Sequence, residues 1–141
     1  MLVSIQMHQP QMLCKGIEIE EWKNIPTGRQ LATYKELCQD SIDGFADWIK
    51  PIQRIKAKEV HFKIKFIATG DLMTDSMIAR YGYVDYASRT IYVTDDPLFL
   101  EETLPHEIYH ALSREYDVWK RYSPQDEELM ADRFSEYIRG K

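Results

Sequence analysis

Apolar residues recur with the period of an α-helix between positions 31 and 49. They are Leu31, Tyr34, Leu37, Cys38, Ile42, Phe45, Ala46 and Ile49. This spacing places the side chains on one face, which is typical of a helix that packs on a core. Gly44 weakens the repeat and Pro51 stops or kinks it. We therefore expect one long helix or two, beginning after residue 26 and ending by Ile55.

An alternating pattern follows the helical region. Apolar residues at 60, 62, 64 and 66 alternate with His61, Lys63 and Lys65, which predicts a strand with His61 on its solvent face. The β-rich runs 81–87 and 89–94 predict an antiparallel hairpin, and residues 71–80 a loop or short helix. Together these patterns predict an α+β fold with a small, three-stranded, mostly antiparallel sheet.

A helix is predicted after the hairpin, where Leu104, Ile108, Ala111 and Leu112 form an apolar face. Thr103 is a suitable N-cap, and the helix would run to about residue 116. Pro105 would then lie in the first turn, whose N–H groups have no partner within the helix. The alternative is a helix that begins at Pro97 and kinks at Pro105.

A second amphipathic helix is predicted after a polar linker at residues 117–125, ending at Gly140. Residues 1–25 are expected to form an irregular lead-in, in which residues 17–22 could be a short strand or a turn of helix. Residues 26–141 would then form a single domain, since the chain shows no repeat, low-complexity tract or linker between domains.

The composition argues against several classes of protein. The net charge of −5 over 141 residues argues against direct binding to nucleic acid. No apolar run approaches the roughly 20 residues that span a bilayer, and residues 1–8 lack the features of a signal peptide. Cys14 and Cys38 are too few for a disulfide-stapled secreted domain. We therefore expect reduced cysteines, a cytoplasmic location and no membrane partner.

The predicted helix at 103–116 contains the motif H-E-x-x-H, formed by His106, Glu107 and His110. Histidines four residues apart project from the same helical face, which suits two corners of a zinc tetrahedron. The glutamate between them can then act as general base towards a zinc-bound water. The motif predicts a site of metal-assisted hydrolysis.

A hydrolytic zinc site needs a third protein ligand. The tenth residue after His106, where some zinc proteases have a histidine, is Tyr116, and His8 and His61 lie in unsuitable contexts. A carboxylate from the following helix is the better candidate.

Glu128 is the preferred third ligand. It stands four residues before Asp132, so both carboxylates lie on one helical face. Asp132 could then accept the outer N–H of a ligating histidine and fix its tautomer. Glu127 is the alternative ligand, and Cys14 a remote one that would inhibit by binding the metal.

The motif His106–Glu107–x–x–His110, followed by Glu128-Leu-Met-Ala-Asp132, resembles the gluzincin pattern. The wider frame at residues 81–138 resembles the ImmA/IrrE-type zinc metallopeptidases of bacteria, phages and mobile elements. The resemblance implies a minimal zincin-like domain, with an active-site helix, a glutamate-bearing C-terminal helix and residues 89–94 as an edge strand over the cleft. Tyr109 departs from the pattern, because many members have glycine there.

These observations lead to the hypothesis of a zinc-dependent metallopeptidase that hydrolyses peptide bonds. Tyr116 or Tyr122 could stabilise the oxyanion, and Glu107 would move the proton. The resemblance suggests site-specific cleavage of a regulatory protein, such as a helix-turn-helix repressor. The alternative is a zincin-fold interaction module that binds a peptide or repressor without cleaving it.

Overall fold

The computed structural model describes residues 11–72 and 80–141, which form a mixed α/β structure with three helices and five strands. The elements are β1 (Gln11–Cys14), β2 (Ile17–Trp22), α1 (Gly28–Ile49), β3 (Phe62–Ile67), β4 (Gly82–Asp85), β5 (Thr90–Thr94), α2 (Pro97–Glu115) and α3 (Pro124–Arg139). Short 3-10 turns occur at Thr69–Leu72 and Val118–Arg121. None of the helices in this part of the chain is long and apolar enough to cross a membrane.

The strands form one mixed sheet in the order β1-β2-β3-β5-β4. The two inner pairs, β2 with β3 and β3 with β5, are parallel, and the two outer pairs are antiparallel. The predicted three-stranded, mostly antiparallel sheet is therefore wrong. The predicted hairpin of β4 and β5 is confirmed, but β5 is interior and β4 is the edge strand, so the edge assigned to residues 89–94 is also wrong.

The two additional strands come from residues 11–22. The short strand considered for residues 17–22 is confirmed as β2, but the irregular structure expected for residues 11–14 is wrong, because they form β1. Ile17, Ile19 and Trp22 of β2 are buried, and they extend the apolar layer begun by β3. The alternation of apolar residues in β2 was obscured by consecutive glutamates. In addition, β2 pairs in parallel with β3, which is distant in sequence. The alternation in β3 is confirmed, and His61 immediately precedes the strand with 80% of its side chain exposed.

Helix α1 is a single helix that ends at Ile49, two residues before Pro51. Gly44 lies inside it because α3 approaches closely there: a Cβ at this position would lie 3.3 Å from Cδ1 of Ile138. The core between the three helices is aromatic. Phe45 and Trp48 of α1 have ring centroids within 6 Å of both Tyr109 of α2 and Phe134 of α3.

Cys14 at the end of β1 and Cys38 in α1 form a disulfide, with Cα atoms 5.8 Å apart. The expectation of reduced cysteines is therefore wrong, and Cys14 has no thiolate to offer a metal. The bond ties the β1–β2 hairpin to α1 and closes a loop of 24 residues. In the chain-entropy model a loop of this length adds about 3 kcal/mol to the free energy of unfolding.

The C-terminal end of α2 is held to the sheet by an ion cluster around Glu115. Its two carboxylate oxygens lie 2.6 Å from Nη2 of Arg89, in the turn between β4 and β5, and 3.1 Å from Nζ of Lys58. Burial alone would raise the pKa of Glu115, but the hydrogen bonds from Arg89 and Lys58 outweigh it and lower the pKa. The cluster therefore stabilises the fold only while Glu115 is ionised.

Replacing Glu115 with glutamine should lower the free energy of unfolding by about 1 kcal/mol at neutral pH, because Arg89 and Lys58 lose their partner. The pKa is depressed in the folded state, so the contribution is full above the unfolded value, about 4.3, and disappears as pH falls through the folded value. Urea unfolding of wild type and variant between about pH 7 and pH 3 measures this. Glu36→Gln, on the exposed side of α1, is the matched control. A difference that stays constant across this range would contradict the prediction.

Candidate metal centre

Helix α2 carries the H-E-x-x-H motif in its middle. The helix begins at Pro97, and the side chain of Asp96 caps it by accepting a hydrogen bond from the Leu98 N–H at 3.0 Å. The predicted start at Thr103 is therefore wrong, and the alternative start at Pro97 is confirmed. Pro105 lies inside the helix, one residue before His106.

The two histidines of the motif face the same cleft. They lie one turn apart on α2, with ring centroids 4.9 Å apart. His110 is buried, whereas His106 is partly exposed. Both nitrogens of each ring contact carboxylates of the neighbouring helix, α3.

Helix α3 supplies the carboxylate that meets both rings. Ser123 caps the helix by accepting from the Asp126 N–H at 3.1 Å, which places Glu128 in the second turn. One oxygen of Glu128 lies 3.0 Å from Nε2 of His106, and the other lies 2.8 Å from Nε2 of His110. The ligand atoms of the three residues lie within 4.8 Å of one another and could hold a metal ion. The predicted meeting of His106, His110 and Glu128 is confirmed.

A second carboxylate contacts the outer nitrogen of each histidine. Oδ1 of Asp132 lies 2.8 Å from Nδ1 of His106, which is the contact predicted for it. Oε2 of Glu127 lies 3.3 Å from Nδ1 of His110. Glu127 was considered as a ligand, but it orients the ring from behind instead. The Tyr109 hydroxyl donates to its other oxygen at 3.4 Å.

The inner nitrogen of His110 provides a test of whether a metal fits. Nε2 is buried and makes no hydrogen bond to the described residues, although Glu128 is 2.8 Å away, because the two groups are not aligned as donor and acceptor. A buried nitrogen without a hydrogen bond is unfavourable by about 1–3 kcal/mol. With Nδ1 turned to Glu127, Nε2 is free to present a lone pair to a cation. The donor set fits a metal ion.

The charges of the cluster are strongly coupled. Burial alone would lower the pKa of His110, but contacts with Glu127 and Glu128 raise it to about 10. Burial likewise opposes a rise in the pKa of His106, and the carboxylates of Glu128 and Glu107 again prevail. The close contacts with the two histidines hold the pKa of Glu128 well below its usual range. The site therefore favours positive charge at its centre, carried either by protons or by a metal ion.

Glu107 lies beside this centre but outside the ligand cluster. One of its oxygens is 3.8 Å from Nε2 of His106, and the residue is 5% exposed. Burial raises the pKa of Glu107 to about 7, although the neighbouring histidines act to lower it. A carboxylate with this pKa can both take up and release a proton near neutral pH.

Strand β4 passes directly over Glu107 at Gly82. A Cβ at this position would lie 2.7 Å from Cγ of Glu107 and 2.8 Å from the backbone oxygen of Tyr92. Only glycine allows the strand and the glutamate to approach this closely. The sequence gives no direct signal of this contact, because a single glycine before a strand is common.

The cluster opens into a cavity of about 1030 Å³ between β4, α2 and α3. Tyr122 lines it, as predicted for an oxyanion-stabilising residue, but Tyr116 does not. The ring of Tyr116 stacks on Phe45, and its hydroxyl accepts from the Lys58 N–H at 3.2 Å. The role considered for Tyr116 is therefore excluded. His8 lies outside the described residues.

Comparison with known proteins gives no match: no family model, no curated protein and no solved structure is significantly similar to the chain. The geometry of the site is therefore the basis for any functional proposal.

Proposed function

We propose that the chain is a zinc-dependent peptidase. The observation that carries the proposal is the convergence of Nε2 of His106, Nε2 of His110 and the carboxylate of Glu128, with Glu107 buried beside them. The resemblance of these residues to the gluzincin pattern supports the same function. Metal-assisted hydrolysis requires a cluster of ligands, an adjacent base and access for substrate, and the described residues contain all three.

Zinc is the proposed metal because the donors are two imidazoles and one carboxylate. This set is typical of catalytic zinc, which keeps one position open for water or substrate. Structural zinc sites are usually closed and rich in cysteine, whereas Cys14 and Cys38 are bonded to each other. The side chain of Glu128 is 62% exposed, so the centre is open to the cavity.

Zinc would act as a Lewis acid that polarises the scissile carbonyl and acidifies a water molecule. Glu107 would remove a proton from the attacking water and pass it to the leaving amine nitrogen. Asp132 and Glu127 would accept the Nδ1–H groups of the two histidines and thereby hold both rings with Nε2 directed inwards. Tyr122 is a candidate hydrogen-bond donor to the developing oxyanion.

The substrate is proposed to be a peptide or a segment of a regulatory protein bound in extended form. β4 is the edge strand and contributes Gly82, Tyr83 and Val84 to the cavity wall, so its free backbone edge could pair with a substrate strand. The family resemblance favours a helix-turn-helix repressor as the natural substrate, cleaved at one site.

The proposal is tested by metal analysis and hydrolysis with the same preparation. Protein purified without chelator should contain about one zinc ion per chain and cleave members of a mixed peptide library. A chelator should abolish cleavage, and zinc should restore it. Purified protein without bound zinc that also fails to bind added zinc would contradict the proposal.

Replacing Gly82 with alanine should reduce turnover about tenfold and destabilise the fold by roughly 1–3 kcal/mol, because the new methyl group meets both Glu107 and the Tyr92 backbone. The control is Gly70→Ala, since nothing lies within 4 Å of a Cβ at Gly70. Turnover is compared at saturating zinc, and stability by thermal unfolding. Equal turnover in the two variants would show that the close approach at Gly82 does not position Glu107.

A further inference from the structure

A single arginine extends the row of cleft-facing residues on α2. Arg114 follows His110 by four residues, as His110 follows His106, so all three side chains project from one face of the helix. Arg114 lines the same cavity as the metal cluster. A rise of 1.5 Å per residue places it about 6 Å beyond His110 along the axis.

Two aromatic rings pack against this guanidinium. Its central carbon lies 4.1 Å from the ring centroid of Tyr86 and 3.9 Å from that of Trp119. Tyr86 follows β4, and Trp119 belongs to the 3-10 turn between α2 and α3, so three separate segments converge on one side chain. Packing against two aromatic rings restricts the motion of the guanidinium, which has five N–H donors in a planar fork.

Arg114 forms no ion pair with residues 11–72 or 80–141, although six carboxylates line the same cavity. Four of them contact His106 or His110, and the other two, Glu102 and Glu136, are exposed. A planar, immobilised guanidinium is the group that binds a carboxylate through two parallel hydrogen bonds. The acidic side chains of the cavity would repel a ligand with several negative charges. A ligand with a single carboxylate is therefore favoured.

We infer that Arg114, packed against Tyr86 and Trp119, is a specificity-determining residue that binds a carboxylate of the substrate. The inference rests on the proposed peptidase function, because the bound carboxylate belongs to a peptide substrate. Because an extended peptide rises about 3.3 Å per residue, the carboxylate belongs within roughly two residues of the scissile bond. It is either an aspartate or glutamate side chain or the free C-terminus of the peptide.

Binding rather than cleavage tests this inference. Three fluorescent pentapeptides serve as probes: alanine with a central glutamate and an amidated end, the same with glutamine, and the glutamine peptide with a free C-terminus. They are titrated into full-length Glu107→Gln, in which hydrolysis is blocked. We expect one carboxylate probe to bind about tenfold more tightly than the neutral probe. The tighter carboxylate probe identifies the source.

Adding Arg114→Gln should abolish this preference, whereas Arg114→Lys should retain part of it, because the charge remains without the planar fork. Arg139→Gln is the matched control: Arg139 lines the same cavity, but its Nε donates to Ser135 at 3.0 Å. Thermal unfolding shows whether each variant is folded. Equal binding of all three probes, or an equal effect of the two glutamine replacements, would overturn the inference.

The outcome separates this inference from the peptidase proposal. An Arg114-dependent preference in a protein that hydrolyses no peptide would support the carboxylate site and contradict the enzyme. Hydrolysis by wild type, with no preference among the probes, would support the enzyme and contradict the carboxylate site.

Discussion

Replacing Glu107 with glutamine should lower the rate of peptide hydrolysis by about 10²–10⁴-fold while leaving the metal in place. Glutamine has the same shape, so it preserves packing beneath Gly82, but it cannot accept the proton of the attacking water. Glu107 is not among the residues whose ligand atoms converge, so zinc content should stay unchanged. Turnover and zinc content are measured on the same preparations.

Glu136→Gln is the control for the change of charge, because Glu136 lines the cavity without joining the cluster. The experiment also distinguishes an enzyme from an interaction module. Loss of cleavage with retained peptide binding indicates an enzyme, and the variant then captures its natural substrate in the native host. If wild type and Glu107→Gln bind a peptide equally and neither cuts it, the interaction module is the correct interpretation.

Replacing His110 with alanine should weaken zinc binding roughly a thousandfold, because a site with three protein ligands loses one of them. The loss also leaves Glu127 without the ring that it orients. Equilibrium competition against a chromophoric chelator measures the affinity of wild type and variant. Hydrolysis should fall in parallel at limiting zinc.

His61→Ala is the control, since its side chain is exposed and remote from the cluster. The zinc affinity of Asp132→Asn should lie between those of His110→Ala and His61→Ala. It should be about 10–100-fold weaker than that of wild type, because only the hydrogen bond that orients His106 is lost. Unchanged zinc affinity in His110→Ala would exclude the proposed ligand set.

The site was more predictable than the fold because its signals are local. His106 and His110 are one helical turn apart, and the pair Glu128 and Asp132 repeats that spacing on the next helix. Each pair fixes its own geometry as soon as its helix forms. Only the packing of α2 against α3 had to be assumed to bring the pairs together.

The parts that could not be predicted depend on contacts between distant segments. β2 pairs with β3 across more than 40 residues, and a parallel pairing leaves no turn in the sequence to announce it. The disulfide was missed because Cys14 and Cys38 are brought together only when the β1–β2 hairpin packs on α1. The start of α2 was misplaced for a local reason: Asp96 followed by Pro97 is a stronger beginning than Thr103, which is 7% exposed in the helix interior.

Tyr109 connects the aromatic core between the helices to the histidine cluster. Its ring is fully buried among the aromatic residues between the helices, and its hydroxyl reaches Glu127. The residue therefore couples the packing of the core to the orientation of His110. A glycine at this position would need a different core behind the motif.

The edge strand β4 also affects the tendency of the protein to associate with itself. A strand with unpaired backbone groups accepts any extended chain, including the same edge of another molecule, and such edges promote aggregation. β4 is only four residues long, each of its residues is partly buried, and three of them line the cavity. The short, recessed edge limits self-association, so a peptide that occupies the cleft should also improve the solubility of concentrated protein.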